Sequence, residues 1–199
     1  MESTECSAIV VDPFLEATTA ATAKVSFLKA KAEDFANTDP KLRPLQGTFH
    51  QVLLKEVAHH LENRVSTFRG FYESIEPSPS DRPSLLIITR PQKDIDYPIW
   101  SDAKVVWAEN QPSLEEFVSE LEEAGFTDVS SDIQRYPCSI PLERWQAMVR
   151  NRFWSTFAGF SDEELDAACE AMPETERHRL HDGVIQFEDR LLFITASKR

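Results

Sequence analysis

Phe49-His50-Gln51-Val52-Leu53-Leu54-Lys55-Glu56-Val57-Ala58-His59-His60-Leu61 is an apolar run, then a charged step, then the start of a spaced apolar stripe. Phe49–Leu54 reads as a buried strand, because it is short, apolar and bounded by polar residues. Beyond it, Val57, Leu61, Val65, Phe68 and Phe71 recur at helical spacing and predict a crossover helix over Val57–Ile75. Upstream, Ala8–Val11 and Val25–Leu28 read as strands, joined by the short alanine-rich stretch Phe14–Ala23; downstream, Leu85–Thr89 reads as a fourth. Ser113 caps the next helix with Glu116 as capping-box partner, Leu114, Phe117, Val118 and Leu121 share its face, and Gly125 stops it. Phe126–Val129 leads to a strand around Ile133, and Gln186–Ser197 alternates as the last one. Strands alternating with helices and ending in a late pair define an α/β chain with a mostly parallel sheet and an antiparallel final strand.

Residues 142–170 form a largely helical insertion before the last strand, carrying Arg144, Trp145, Met148, Val149, Arg150, Arg152, Phe153, Trp154 and Phe157. So much aromatic surface has to be buried, either by packing on the body or as a lid over a ligand. Pro77–Pro83 reads as a stiff surface loop. A chain of 199 residues, 41% hydrophobic, supports one sizeable domain spanning 1–199. Its formal charge of -13, spread along the chain, argues against nucleic acid as partner. Neither a signal sequence nor a membrane span is visible, so the expected compartment is the cytoplasm and no membrane is a partner. Cys6, Cys138 and Cys169 have no spacing that implies zinc or a disulfide framework.

Ligands of open α/β sheets bind beyond the carboxyl ends of the strands. Asp12 follows the first strand, where a carboxylate can accept hydrogen bonds from both hydroxyls of a ribose. Glu33 and Asp34 follow the second; they suit either an adenine amino group or simply an acidic helix start. Lys55, Glu56, His59 and His60 follow the third. Two adjacent histidines point about 100° apart on a helix, and Glu56 with His60 supplies only two ligands, so the pattern is not a zinc site. A histidine here serves as a base, as a donor that orients substrate, or in a structural or capping role.

In order and spacing, the segments Val10–Phe14, Val25–Phe35, Phe49–Leu61, Leu85–Arg90, Leu114–Gly125 and Leu191–Ala196 resemble class I S-adenosylmethionine-dependent methyltransferases acting on small molecules. The resemblance implies a Rossmann-like methyltransferase sheet with S-adenosyl-L-methionine as cofactor. It implies cofactor contacts from Asp12 to the ribose, from Glu33 and Asp34 to the adenine, and from Lys55 and Glu56 to the methionine part. His59 and His60 would face the acceptor pocket as catalytic residues. Arg144, Trp145, Met148, Arg152 and Trp154, in the variable lid of such enzymes, would contact a small-molecule acceptor through apolar surface and arginine pairing. Methyl transfer of this type requires in-line placement next to the sulfonium carbon and, for a protonated acceptor, a base; it requires no metal.

The resemblance also implies a first strand with a glycine-rich turn against the cofactor. The 11 residues before Asp12 contain no glycine, and the five glycines of the chain, at 47, 70, 125, 159 and 183, all come later. The expected sheet is therefore N-terminally incomplete, with a gap or two exposed interior edges where that strand would lie. A fragment, a chain completed by a partner or a second copy, and a non-catalytic binding or regulatory remnant are the corresponding expectations, with weak or no cofactor affinity in the chain alone. A nicotinamide-dependent oxidoreductase would need fingerprint glycines that are equally absent.

Overall fold

The computed structural model describes residues 7–16, 24–38, 49–77 and 82–199. Strands β1 (Ala8–Val11) and β2 (Val25–Leu28) pair in parallel, Ala8 opposite Val25 and Val11 opposite Leu28. A second sheet holds β3 (Val52–Lys55), β4 (Leu85–Thr89), β5 (Thr127–Pro141), β6 (Leu180–His181) and β7 (Val184–Ser197) in the order β3-β4-β7-β5, with β6 also on β7. β3 runs parallel to β4, while β4, β5 and β6 are each antiparallel to β7. Four strands of this sheet therefore share one direction and the final strand alone opposes them. Among the described residues no strand joins β1 to β3.

The helices are α1 (Ala32–Asn37), α2 (Arg64–Ser74), α3 (Ser101–Asn110), α4 (Leu114–Glu123), α5 (Leu142–Arg150) and α6 (Asp162–Thr175). The long helix expected over Val57–Ile75 is broken. Glu56 leaves β3 at φ 56, Ala58–His60 make a single 3-10 turn, and Leu61 returns to extended backbone at ψ 126. The α-helix begins only after Asn63, whose side chain accepts the Ser66 N–H and so competes with a continuous helix upstream. The third strand is also shorter and later than Phe49–Leu54: Phe49 makes only a bridge to Ile75. The stretches Phe14–Ala23 and Pro77–Pro83 fall partly outside the described residues, as does Cys6.

Ser113 and Glu116 form the expected capping box, with Ser113 Oγ accepting the Glu116 N–H at 3.1 Å and the Glu116 carboxylate accepting the Ser113 N–H at 2.7 Å. Helix α4 buries Phe117 and Leu121 completely, a gain of roughly 1.5–3 kcal/mol for each side chain. It stops at Gly125, whose φ of 107 a residue with a Cβ rarely adopts. Arg64 on α2 pairs both carboxylate oxygens of Glu120 on α4, at 2.6 and 2.7 Å. At Gly70 the absence of a Cβ lets α1 and α2 touch, since a Cβ there would lie 2.4 Å from the Ala36 carbonyl oxygen.

Two apolar cores result. One lies between the β3-β4-β7 surface and helices α1, α2 and α4, around Phe68, Phe71, Leu85, Ile87, Phe117 and Ile194. The other lies under the insertion, where α5, α6 and α3 pack with the first half of β7 around Tyr97, Trp107, Trp145, Phe157, Leu165 and Ile185. Most of the insertion's aromatic surface is thus used in packing.

Candidate functional site

Three carboxyl-terminal strand ends carry the residues expected to act. At the end of β1, Asp12 is exposed, and its Oδ1 accepts the Phe14 N–H at 2.6 Å, closing a tight Asx turn. After β2, Glu33 and Asp34 occupy the first turn of α1; Glu33 Oε1 accepts the Glu62 N–H at 3.1 Å and ties this turn to the segment after β3. Lys55 is exposed at the end of β3, and Glu56 beside it is half-buried.

The polar centre is built around Arg90, the residue directly after β4. Its Nη1 donates to Glu56 Oε2 at 2.5 Å, and its Nε donates to the Tyr97 hydroxyl at 2.7 Å and to Asp189 Oδ1 at 3.3 Å. The Tyr97 hydroxyl in turn donates to Asp189 Oδ1. The guanidinium carbon sits 5.7 Å from the ring centre of Trp154 and 6.0 Å from that of Tyr97, within range of the rings' negative faces. Arg90 thereby joins the ends of β3 and β4 to the middle of β7 and to the insertion. Glu56 reaches it because its backbone is held at φ 56, a region costly for a side chain with a Cβ and typical of functional positions.

The electrostatics follow from burial. Burial pushes the Glu56 carboxyl up from its ordinary range, against the opposing pull of Arg90. Burial also pushes His59 down to about 4, helped by the charges of His60 and Arg90, so its imidazole is neutral at pH 7. Tyr97 is driven upward by burial and by its bond to Asp189, and stays a neutral phenol. Among the described residues, Glu56 Oε1, His59 Nδ1 and Thr89 Oγ1 are buried with no hydrogen-bond partner. Such atoms are costly unless something else satisfies them.

His59 and His60 do not diverge as on an ideal helix: their ring centres are 3.9 Å apart at 49°, because they end a single 3-10 turn. His59 is half-buried and His60 exposed. Of the insertion residues expected to meet an acceptor, Trp154 reaches Arg90. Trp145 is enclosed in the second core with its indole N–H on the Pro98 carbonyl at 3.0 Å, and Met148 packs there too. Arg152 pairs with Asp162 at 2.7 Å and with the Phe160 carbonyl at 2.8 Å, and Arg144 is exposed. Arg90, Tyr97 and Asp189 were missed by sequence reasoning. Arg90 could have been found by the strand-end rule that selected Asp12, whereas Tyr97 and Asp189 meet only through tertiary structure. Among the described residues no group of three or more histidines, cysteines or acidic residues is arranged to hold a metal, and no helix is long and apolar enough to cross a membrane.

Parallel strands opposed by one final antiparallel strand give the chain the fold of solved class I S-adenosylmethionine-dependent methyltransferases. The chain is similar to a protein described as a methyltransferase from an antibiotic biosynthesis pathway of Anabaena variabilis (TM-score 0.53, 14% identity, 96% of this chain and 81% of that one). It is also similar to the YcgJ protein of Bacillus subtilis (TM-score 0.50, 15% identity, 88% and 72%). Against the phosphoethanolamine N-methyltransferase 2 of Haemonchus contortus, solved with S-adenosyl-L-methionine, the TM-score is 0.45 at 14% identity; 89% of this chain spans 38% of that one. No protein-family model and no curated protein matches the sequence.

Proposed function

We propose that the chain binds S-adenosyl-L-methionine across its carboxyl strand ends and transfers the methyl group to a small molecule in the cytoplasm. The observation that supports this best is the pair of unpartnered buried atoms, Glu56 Oε1 and His59 Nδ1, beside the strand ends of a methyltransferase fold. In this reading Asp12 holds the ribose, Glu33 and Asp34 lie by the adenine, and Lys55 and Glu56 border the methionine part. The cofactor supplies the electrophilic methyl carbon. His59 and His60 face the acceptor, with His59 acting as a neutral hydrogen-bonding group rather than as a strong base, since burial makes it reluctant to hold a proton. Trp154 carries the insertion, residues 142–170, to the site as a lid wall.

A second reading, a non-catalytic binding protein, is favoured by one observation: β1 and β3 are not joined through a strand among the described residues. Calorimetric titration with S-adenosyl-L-methionine and with NAD, followed by methyl-transfer assays over a panel of small acceptors, separates the two. Cofactor binding with transfer supports the enzyme. Cofactor binding without transfer to any acceptor supports the second reading, and preference for NAD sinks both.

A further inference from the structure

The Arg90 centre carries more negative than positive charge. Glu56 and Asp189 both bond one arginine, while His59 is neutral at pH 7 and Lys55 is exposed. Within the bonded cluster two carboxylates thus share one guanidinium, and Lys55 adds only a smaller pull on Glu56. The site is also short of donors. Glu56 offers Oε2 to Arg90, but its Oε1 is buried with nothing donating to it. A carboxylate oxygen can only accept, so the missing partner has to bring an N–H or O–H. Trp154 and Tyr97 line the same centre with ring faces already within 6.0 Å of one cation's carbon, and such faces favour cations over anions. Trp154 and Phe153 are half-buried rather than enclosed, so their rings can offer an apolar wall to a ligand's body.

We propose that Glu56, backed by His59 and walled by Trp154, is the site for the ammonium group of an amine whose remainder is apolar, and that this amine is the methyl acceptor. The binding stands on the charge and donor balance alone; only the reaction rests on the methyl-transfer reading above. In that reaction the bound ammonium gives one proton to the Glu56 carboxylate along its hydrogen bond to Oε1. The freed nitrogen lone pair then forms a bond to the methyl carbon of the sulfonium cofactor. The sulfur–methyl bond breaks with its electron pair going to sulfur, and the positive charge passes from sulfur to the methylated nitrogen. An anionic acceptor would instead place like charge against Glu56 and Asp189.

A sulfonium cofactor also carries an ammonium, on its methionine part, so the same chemistry has two sources. The test uses the full chain and three matched probes, phenethylamine, 2-phenylethanol and 3-phenylpropanoate, followed by calorimetry and tryptophan fluorescence at pH 7.5, with and without added S-adenosylhomocysteine. The amine is expected to bind at least tenfold more tightly than the alcohol or the carboxylate, to lose about tenfold in Glu56→Gln, and to bind alongside S-adenosylhomocysteine. Equal binding of amine and alcohol in the unaltered protein overturns the site without reliance on any variant. Mutual exclusion of the amine and S-adenosylhomocysteine overturns the acceptor assignment by giving the site to the cofactor's own ammonium. Failure of S-adenosylhomocysteine to bind, with amine selectivity intact, sinks the methyl-transfer reading and leaves the ammonium site standing.

Discussion

Replacing Arg90 by methionine keeps most of the side chain's volume and stacking on Trp154 but removes every donor that Glu56 Oε2 and Asp189 Oδ1 receive from it. Removing one partner of a fully buried ion pair costs ~3–5 kcal/mol. Here the side chains of Arg90, Glu56 and Asp189 keep 19%, 31% and 27% of their exposure, so solvent screens part of the loss. The expected cost is about 2 kcal/mol after that screening, with Glu56 taking up a proton more readily once the opposing charge is gone. In urea unfolding, with a slope of roughly 2 kcal/mol per molar for a chain of this size, the midpoint should fall by about 1 M. A double-mutant cycle with Glu56→Gln should return a coupling of order 1 kcal/mol. A midpoint unchanged within error in Arg90→Met, or zero coupling to Glu56, would refute the view that Arg90 organises this centre.

Other outcomes follow from neighbouring features. His59 has its folded pKa depressed to about 4 from 6.5; its contribution is present above pH 6.5 and is lost as pH falls toward 4, because the unfolded chain takes up the proton first. With its partial exposure discounted, this amounts to about 2 kcal/mol of acid destabilisation, and His59→Gln should flatten that limb of a stability-against-pH curve. Glu56, with its pKa raised, acts in the opposite sense: its contribution is present below the ordinary carboxylate range and declines as pH rises through the raised value. Glu56→Gln should remove that decline. Gly70→Ala forces a Cβ against the backbone of Ala36 and should cost about 1–3 kcal/mol, read as a lower melting temperature. Ser113→Ala removes the α4 cap and should cost about 1 kcal/mol in the same melt.

Local signals were legible where one segment determined its own structure. Strands β1, β2 and β4 fall on the residues that apolar runs marked, and the Ser113–Glu116 box and Gly125 bound α4 as their side-chain and backbone chemistry dictates. The break after β3 was not legible, because the apolar stripe from Val57 continues through it; what ends the continuity is the positive φ at Glu56 and the cap at Asn63. Helix α3 escaped notice because only Ala103 and Trp107 face inward from it. The strand-end rule singled out Asp12, Glu56 and the histidines but not Arg90, to which Glu56 is bonded. Tyr97 and Asp189 lie 92 positions apart, and no local pattern announces that they will meet on one arginine.

The central claim is tested most directly by titrating S-adenosyl-L-methionine into the 199-residue chain and into its Asp12→Ala variant, with circular dichroism showing that both are folded. Among the described residues the outer edge of the strand that Asp12 ends pairs with nothing, and on the proposed reading binding is expected to be weaker than micromolar. It should nevertheless saturate, and the Asp12→Ala variant should bind about tenfold more weakly, the cost of hydrogen bonds to a charged acceptor at ~1.5–3 kcal/mol partly offset by solvent at this exposed position. Absence of saturable binding, or identical affinity in the two proteins, would contradict the account.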